Sequence, residues 1–193
     1  NRPRTLPPYD APACEEVRGA RTGFFHAERK NGRWWVIDPN GYGFYAIGTD
    51  HCRYEGHWCE ALGYGVYART TEKKYENEEA WAETATTRLR RWGFNLLGAG
   101  ASPSTHHKGL PHTLFASMGG AFAHLGEPFR IEYPEDGKPR PCTVFPNVFH
   151  PQFEAYCRQR ADEICAPHAE DPWLFGYFFD NELAWWGDDR RVS

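Results

Sequence analysis

Apolar and polar positions alternate between two rhythms along this chain. Residues 77–92 carry Trp81, Ala85, Leu89 and Trp92 at helical spacing, which predicts an inward stripe on one helix face. Asn77 precedes the run as an N-cap, with Glu78 and Glu79 in the first turn and Gly93 closing it. A second helix is expected from about Pro151 to Ala166, with Phe153, Tyr156, Ala161 and Ile164 inward. Between and around these helices lie short apolar runs of strand length: Phe44–Gly48, Phe94–Gly98, Pro111–Ala116 and Trp173–Phe179. Ahead of the first, two β-rich runs flank Asp38-Pro39-Asn40-Gly41, a strong turn signal.

Helices alternating with buried strands define an α/β class. Four strands, at least two crossover helices and an opening β-hairpin are the content of one half of a (β/α)8 TIM barrel. An open half sheet exposes an apolar edge and an unfilled interior, so the chain is expected to need a partner half. Residues 1–22 read as an irregular lead-in and residues 23–193 as the first half of the barrel. Residues 117–148 read as a long irregular excursion rich in Gly and Pro, of the kind that contributes to a binding site.

Composition narrows the partners. The formal net charge of −4 offers no basic field for nucleic acid. Arg88, Arg90 and Arg91 sit late in a helix, where cations suit the helix dipole and a solvated face explains them. No apolar run approaches the roughly 18 residues of a membrane span. Aromatic residues make up 16% of the chain, and flat rings suit the C–H faces of sugars as well as they suit a core. The cysteines, Cys14, Cys52, Cys59, Cys142, Cys157 and Cys165, form no C-x-x-C pair, so reduced, mostly buried thiols are expected.

The chemistry concentrates at the end of the last strand. Asp180-Asn181-Glu182 follows the apolar run Trp173–Phe179 directly, and Trp185 and Trp186 come next. Carboxylates at the C-terminal mouth of a parallel strand occupy the place where barrels keep their catalytic groups. The plainer reading of the tripeptide is a strand end with Asp or Asn capping a turn or helix. Asp180 and Glu182 alternate, and strand periodicity would point them to one side. Asp50 and His51 occupy the matching position after the first strand, while Asn95, at the start of the second, reads as structural. No metal is assigned, because the neighbours His106 and His107 rarely converge on an ion without further ligands.

The segment Gly176-Tyr177-Phe178-Phe179-Asp180-Asn181-Glu182-Leu183-Ala184-Trp185-Trp186-Gly187 resembles the acid/base strand of β-agarase-like enzymes, glycoside hydrolase family 50. Three more blocks in the right order resemble the same group: residues 31–48, Arg88–Asn95, and Phe145–Phe153. The resemblance implies a retaining β-glycosidase acting on a galactan such as agarose, or on simpler β-galactosides, without a cofactor. It implies Glu182 as acid/base and Asn181 as partner of the sugar 2-hydroxyl. Substrate contacts are expected from Asp180, Trp185, Trp186, Asp50 and His51. By family pattern the nucleophile is a Glu near the end of strand seven. This chain stops six residues after Gly187, so the partner is expected to be the C-terminal half of the barrel, from a cleaved, truncated or two-piece enzyme. The family is compatible with a secreted or periplasmic location, which the sequence itself leaves open. The alternatives are a non-catalytic carbohydrate-binding module or pseudoenzyme half barrel, and a barrel hydrolase acting on something other than sugar.

Overall fold

A computed structural model describes residues 14–131 and 145–183. Its elements, in chain order, begin with β1 (Cys14–Arg18), β2 (His26–Lys30), β3 (Arg33–Ile37), β4 (Tyr42–Phe44) and β5 (Gly48–Thr49). The hairpin strands β6 (Trp58–Cys59) and β7 (Tyr64–Gly65) precede helices α1 (Val66–Lys74) and α2 (Glu78–Arg91). Strands β8 (Leu96–Leu97) and β9 (His112–Phe115) lead to α3 (Met118–Ala123), β10 (Arg130–Ile131) and β11 (Phe145–Pro146). Helix α4 (Phe153–Cys165) and strand β12 (Leu174–Phe178) complete the series. The chain divides into two compact units, residues 1–114 with 171–176, and residues 115–170 with 177–193.

The α/β reading holds: four strands form a parallel sheet in the order β12-β9-β8-β5. Backbone bonds from His112 to Trp173 and from Ala116 to Phe178 run in the same sense along β9 and β12, which makes that pair parallel too. Glu78–Arg91 forms the first expected helix, and the Asn77 side chain accepts from the Ala80 amide as its cap. Trp81 and Leu89 of the predicted stripe are buried, joined by Ala82 and Thr86, while Ala85 is half-buried. Trp92 is exposed because the helix ends there and the chain turns away through Gly93 at φ 86°.

A second sheet, antiparallel, has the order β1-β4-β3-β2. Its β3–β4 turn is the predicted Asp-Pro-Asn-Gly: Asp38 is buried, and its Oδ1 accepts from the amides of Asn40 and Tyr42, both at 2.9 Å. Asn31 and Gly32 supply the left-handed pair of the β2–β3 hairpin, at φ 49° and 79°.

Several expectations are corrected. Cys14–Arg18 lies in the lead-in read as irregular, yet it pairs with β4 as a strand. The run Phe44–Gly48 is not one buried strand. Tyr42–Phe44 belongs to the antiparallel sheet, Gly48–Thr49 starts the parallel one, and Tyr45 and Ile47 between them are exposed. The buried Asn95 side chain explains the break. Its Nδ2 donates to the Tyr45 carbonyl (2.8 Å) and its Oδ1 accepts from the Ile47 amide (2.6 Å), giving linker backbone groups a partner outside any ladder. The 117–148 excursion contains α3 and the two-stranded ribbon β10–β11. The last strand is half-buried rather than buried, because β12 is an edge strand of the sheet.

The first unit packs Leu89, Leu97 and Leu110 together, with Phe94, Cys52 and Ala101 against them. A separate ring cluster joins Phe25, Phe44 and Phe175, with centroids 5.1–5.7 Å apart. In the second unit the buried Phe122 is surrounded by Phe129, His150, Phe153 and Tyr156. The five described cysteines are free and half-buried, and burial pushes the Cys52 thiol pKa up; Cys142 lies outside the described residues. No helix among the described residues is long and apolar enough to cross a membrane.

Candidate functional site

Strand β12 ends at Phe178, whose ring stacks on that of Phe115 at 5.7 Å. The residues that follow are fixed by α3. The Ala116 amide donates to the Phe178 carbonyl and the Met118 amide to that of Phe179, both at 2.8 Å. Asp180 then spans the helix start: Oδ2 accepts from the Gly119 amide at 2.9 Å and Oδ1 from the Gly120 amide at 2.7 Å. Ser117 precedes the helix in a left-handed conformation and makes no side-chain cap bond. The carboxylate of Asp180 does that work from 60 residues away in sequence. Glycine fits both positions, since a Cβ at Gly119 would lie 2.9 Å from Pro146 Cγ and one at Gly120 would lie 3.2 Å from Asp180 Oδ1.

Both oxygens of Asp180 are therefore engaged by backbone. Asn181 and Glu182 are exposed. Glu182 adopts φ 46°, a left-handed backbone that a non-glycine residue holds only under structural constraint, and such residues cluster at functional sites. Alternation along the strand has already ended at Phe178, so it does not set the direction of Glu182 relative to Asp180. Close by, Cys157 has its thiol pKa raised by burial and by the Asp180 charge. Arg160 Nε donates to the Ala116 carbonyl at 3.1 Å, bracing the turn that leads into α3. The arrangement presents an amide and a carboxylate at a strand exit, on a backbone anchored by the residue before them.

In the first unit, Asp50 and His51 follow β5 and are both exposed. Asp50 Oδ1 accepts from the Ala99 amide, and the His51 amide donates to the Ala99 carbonyl, each at 2.8 Å. These bonds clasp the exits of the neighbouring strands β5 and β8. His51 has φ 55°, and its ring lies 5.8 Å from that of His57. Asn95 is structural, as expected. Trp185 and Trp186 lie outside the described residues.

A cluster the sequence does not reveal lies at the other end of the strands. His107, His112 and Asp171 bring one potential ligand atom each within 4.8 Å of one another. His112 begins β9 and Asp171 precedes β12, so their juxtaposition follows from strand pairing across a separation no local motif records. The sequence marks only His107, beside His106, as a candidate ligand; the further ligands His112 and Asp171 come from strand pairing.

A parallel α/β sheet with carboxylate and amide side chains at a strand exit defines the class of fold, a scaffold that hosts many unrelated chemistries. Comparison with known proteins is more specific. No protein-family profile matches the chain. β-Agarase B of Vibrio sp. (strain JT0107) is 23% identical over 221 residues, covering 85% of this chain and 22% of its own length. β-Agarase A of the same organism is 21% identical, over 92% of this chain and 21% of its own length. Among solved structures, an agarase (AgWH50C) superposes with a TM-score of 0.67 at 22% identity, over 93% of this chain and 32% of that one. An exo-β-agarase gives 0.65 at 17% identity, over 93% and 34%. The chain thus resembles the β-agarases of glycoside hydrolase family 50 and shares their fold over nearly all its length. It spans about a fifth of the length of the curated relatives it matches.

Proposed function

We propose that this chain forms the first half of the (β/α)8 barrel of a retaining β-glycosidase that hydrolyses an agar-type galactan, with Glu182 as its acid/base. The observation that carries the reading is the position of Asn181-Glu182. The pair is exposed at the exit of a parallel strand, held by the Asp180 anchor, in a chain that resembles β-agarases. Glu182, as a carboxylic acid, donates its proton to the glycosidic oxygen while a second carboxylate attacks the anomeric carbon. The leaving sugar departs as an alcohol and a glycosyl ester forms. Glu182, now a carboxylate, takes a proton from water as that water attacks the anomeric carbon and breaks its bond to the ester oxygen, which releases the product and restores both groups. Retention requires the two carboxyl groups about 5–5.5 Å apart. The nucleophile is a second carboxylate from another strand of the barrel, and turnover depends on it. Asn181 donates to the sugar 2-hydroxyl, a contact that strengthens in the transition state.

A non-catalytic sugar-binding role is the second reading, favoured by exposed rings such as Trp58, Tyr67 and Phe179, at 68%, 69% and 65% exposure. One variant separates the two. Glu182→Gln in the enzyme that carries this chain is expected to lower kcat on agarose oligosaccharides by about 10²- to 10⁴-fold. An aryl glycoside whose leaving group needs no proton should lose far less in its first step. Turnover within threefold of wild type on the oligosaccharide would refute the assignment.

A further inference from the structure

The loop between β8 and β9 is strapped to helix α2. Ser104 Oγ donates to Glu78 at 2.6 Å, and Lys108 Nζ bonds both Glu79 and Glu83. The strap presents His107 in a left-handed backbone at φ 60°. Five residues on, His112 opens β9 with a fully buried ring, stacked on that of His106 at 3.9 Å and 10°. Its amide donates to the Trp173 carbonyl at 3.0 Å, which brings the start of β12 alongside. Asp171 is fixed there because its Oδ1 accepts from the Trp173 amide at 2.9 Å. Oδ2 is left to face the histidines, 2.8 Å from His107 Nε2 and 3.5 Å from His112 Nε2.

We propose that His107, His112 and Asp171 form a binding site for a divalent transition-metal ion of the zinc type, with solvent as the fourth ligand. Two imidazole nitrogens and one carboxylate oxygen are the donor set of such ions. Calcium and magnesium call for six or more oxygens, which three residues of this kind do not supply. Tetrahedral zinc with bonds near 2.0–2.1 Å separates its ligand atoms by about 3.3 Å. The observed gaps of 2.8 and 3.5 Å bracket that value, and all three ligand atoms lie within 4.8 Å of one another, so small side-chain adjustments gather them around an ion. Asp171 is aimed by a backbone amide, an outer contact of the kind that orients metal ligands, and the His112 ring is held by stacking on His106. The His107 side chain is 54% exposed, which gives the ion a path in and leaves a coordination position open to water.

The site lies at the N-terminal ends of β9 and β12, whereas Glu182 follows the C-terminal end of β12. An ion here ties a loop to a strand start 64 residues away, a stabilising rather than a chemical role, and it is independent of the glycosidase reading.

The test uses the purified protein after chelator treatment and dialysis. Co²⁺ is titrated while visible d–d absorption is recorded, followed by displacement with Zn²⁺ and metal analysis. One Co²⁺ per chain with the intensity of low-coordinate geometry, displaced by Zn²⁺, and a raised thermal midpoint are expected. His107→Asn keeps a residue that tolerates the left-handed backbone but removes the imidazole, and it should weaken Co²⁺ binding by about tenfold to a hundredfold. Asp171→Asn should do the same. Absence of a d–d band with wild type at millimolar Co²⁺, or binding unchanged by His107→Asn, would overturn the proposal and leave a hydrogen-bonded His–Asp pair.

Discussion

Removing the Asp180 carboxylate should damage stability in proportion to the amides it serves. Helix α3 has six residues, and four amides at its start need partners from outside the helical ladder or from its first turn. The structure accounts for each: Met118 donates to the Phe179 carbonyl, Gly119 and Gly120 to the two oxygens of Asp180, and Ala121 to the Ser117 carbonyl. Asp180→Ala strips two of the four at once. Gly119 is buried and cannot turn to water, whereas Gly120 is half-buried and partly can. A hydrogen bond to a charged group is worth about 1.5–3 kcal/mol, and a single lost cap about 1 kcal/mol. Taking about 2 kcal/mol, inside the charged-group range, for Gly119 and about 1 kcal/mol for Gly120 gives about 3 kcal/mol for Asp180→Ala. Asp180→Asn keeps one acceptor oxygen and should lose about half as much.

Because the chain has two compact units, a local readout is preferable to a global midpoint. Hydrogen exchange followed by mass spectrometry on peptides covering residues 117–124 reports those amides directly. A loss of 3 kcal/mol corresponds to roughly a hundredfold faster exchange in Asp180→Ala, and Asn to about tenfold. Glu182→Gln should leave the same peptides unchanged, since Glu182 is exposed. Unchanged protection in Asp180→Ala would refute the capping account. It would also reopen Asp180 for contact with substrate.

Two further outcomes follow from buried and paired groups in the first unit. Asn95→Asp keeps the acceptor for Ile47 but turns an oxygen toward the Tyr45 carbonyl, so it should destabilise by about 3 kcal/mol at neutral pH and recover partly in acid, where a protonated Asp can donate; denaturant midpoints at pH 7 and pH 4 check this, and a loss under about 0.5 kcal/mol would count against it. Glu28 is held down to about 2 by its hydrogen bond to Lys30, then by the Ala20 amide and His26. Its folded pKa lies below its ordinary value of 4.5, so its stabilising contribution is full above that pH and fades as pH falls toward 2. Burial pushes the His26 pKa down, but the Phe24 carbonyl and Glu28 outweigh it and the net shift is upward. That contribution is present below 6.5 and lost as pH rises through the raised value. Titration of both side chains by NMR, with Glu28→Gln returning His26 toward its ordinary value, is the check; a Glu28 carboxyl that titrates above 4 would refute the pairing.

What the sequence disclosed was local. Asn77 with two acids behind it caps a helix because the signal and the structure occupy the same turn. The Asp-Pro-Asn-Gly turn is legible for the same reason, since Asp38 bonds amides two and four residues on. The failures lie where a distant partner decides. Phe44–Gly48 reads as one apolar strand, but the side chain of Asn95, about 50 residues away, takes its backbone groups and splits it between two sheets. Helix α1 carries no start signal in the sequence, since its first turn holds no acid and Gly65 before it has no side chain to cap with. The metal-type cluster depends on strand pairing, which periodicity does not encode. At the candidate site both kinds of information meet. Strand alternation would put Asp180 and Glu182 on one side, but the strand ends two residues before Asp180, and Glu182 sits at φ 46°. The two acids consequently stand differently: Asp180 holds the helix start through two amides, and Glu182 is left exposed, as the proposed proton transfer requires. The capping reading of the tripeptide and the proposed catalytic one are therefore compatible, because the first falls on Asp180 and the second on Glu182.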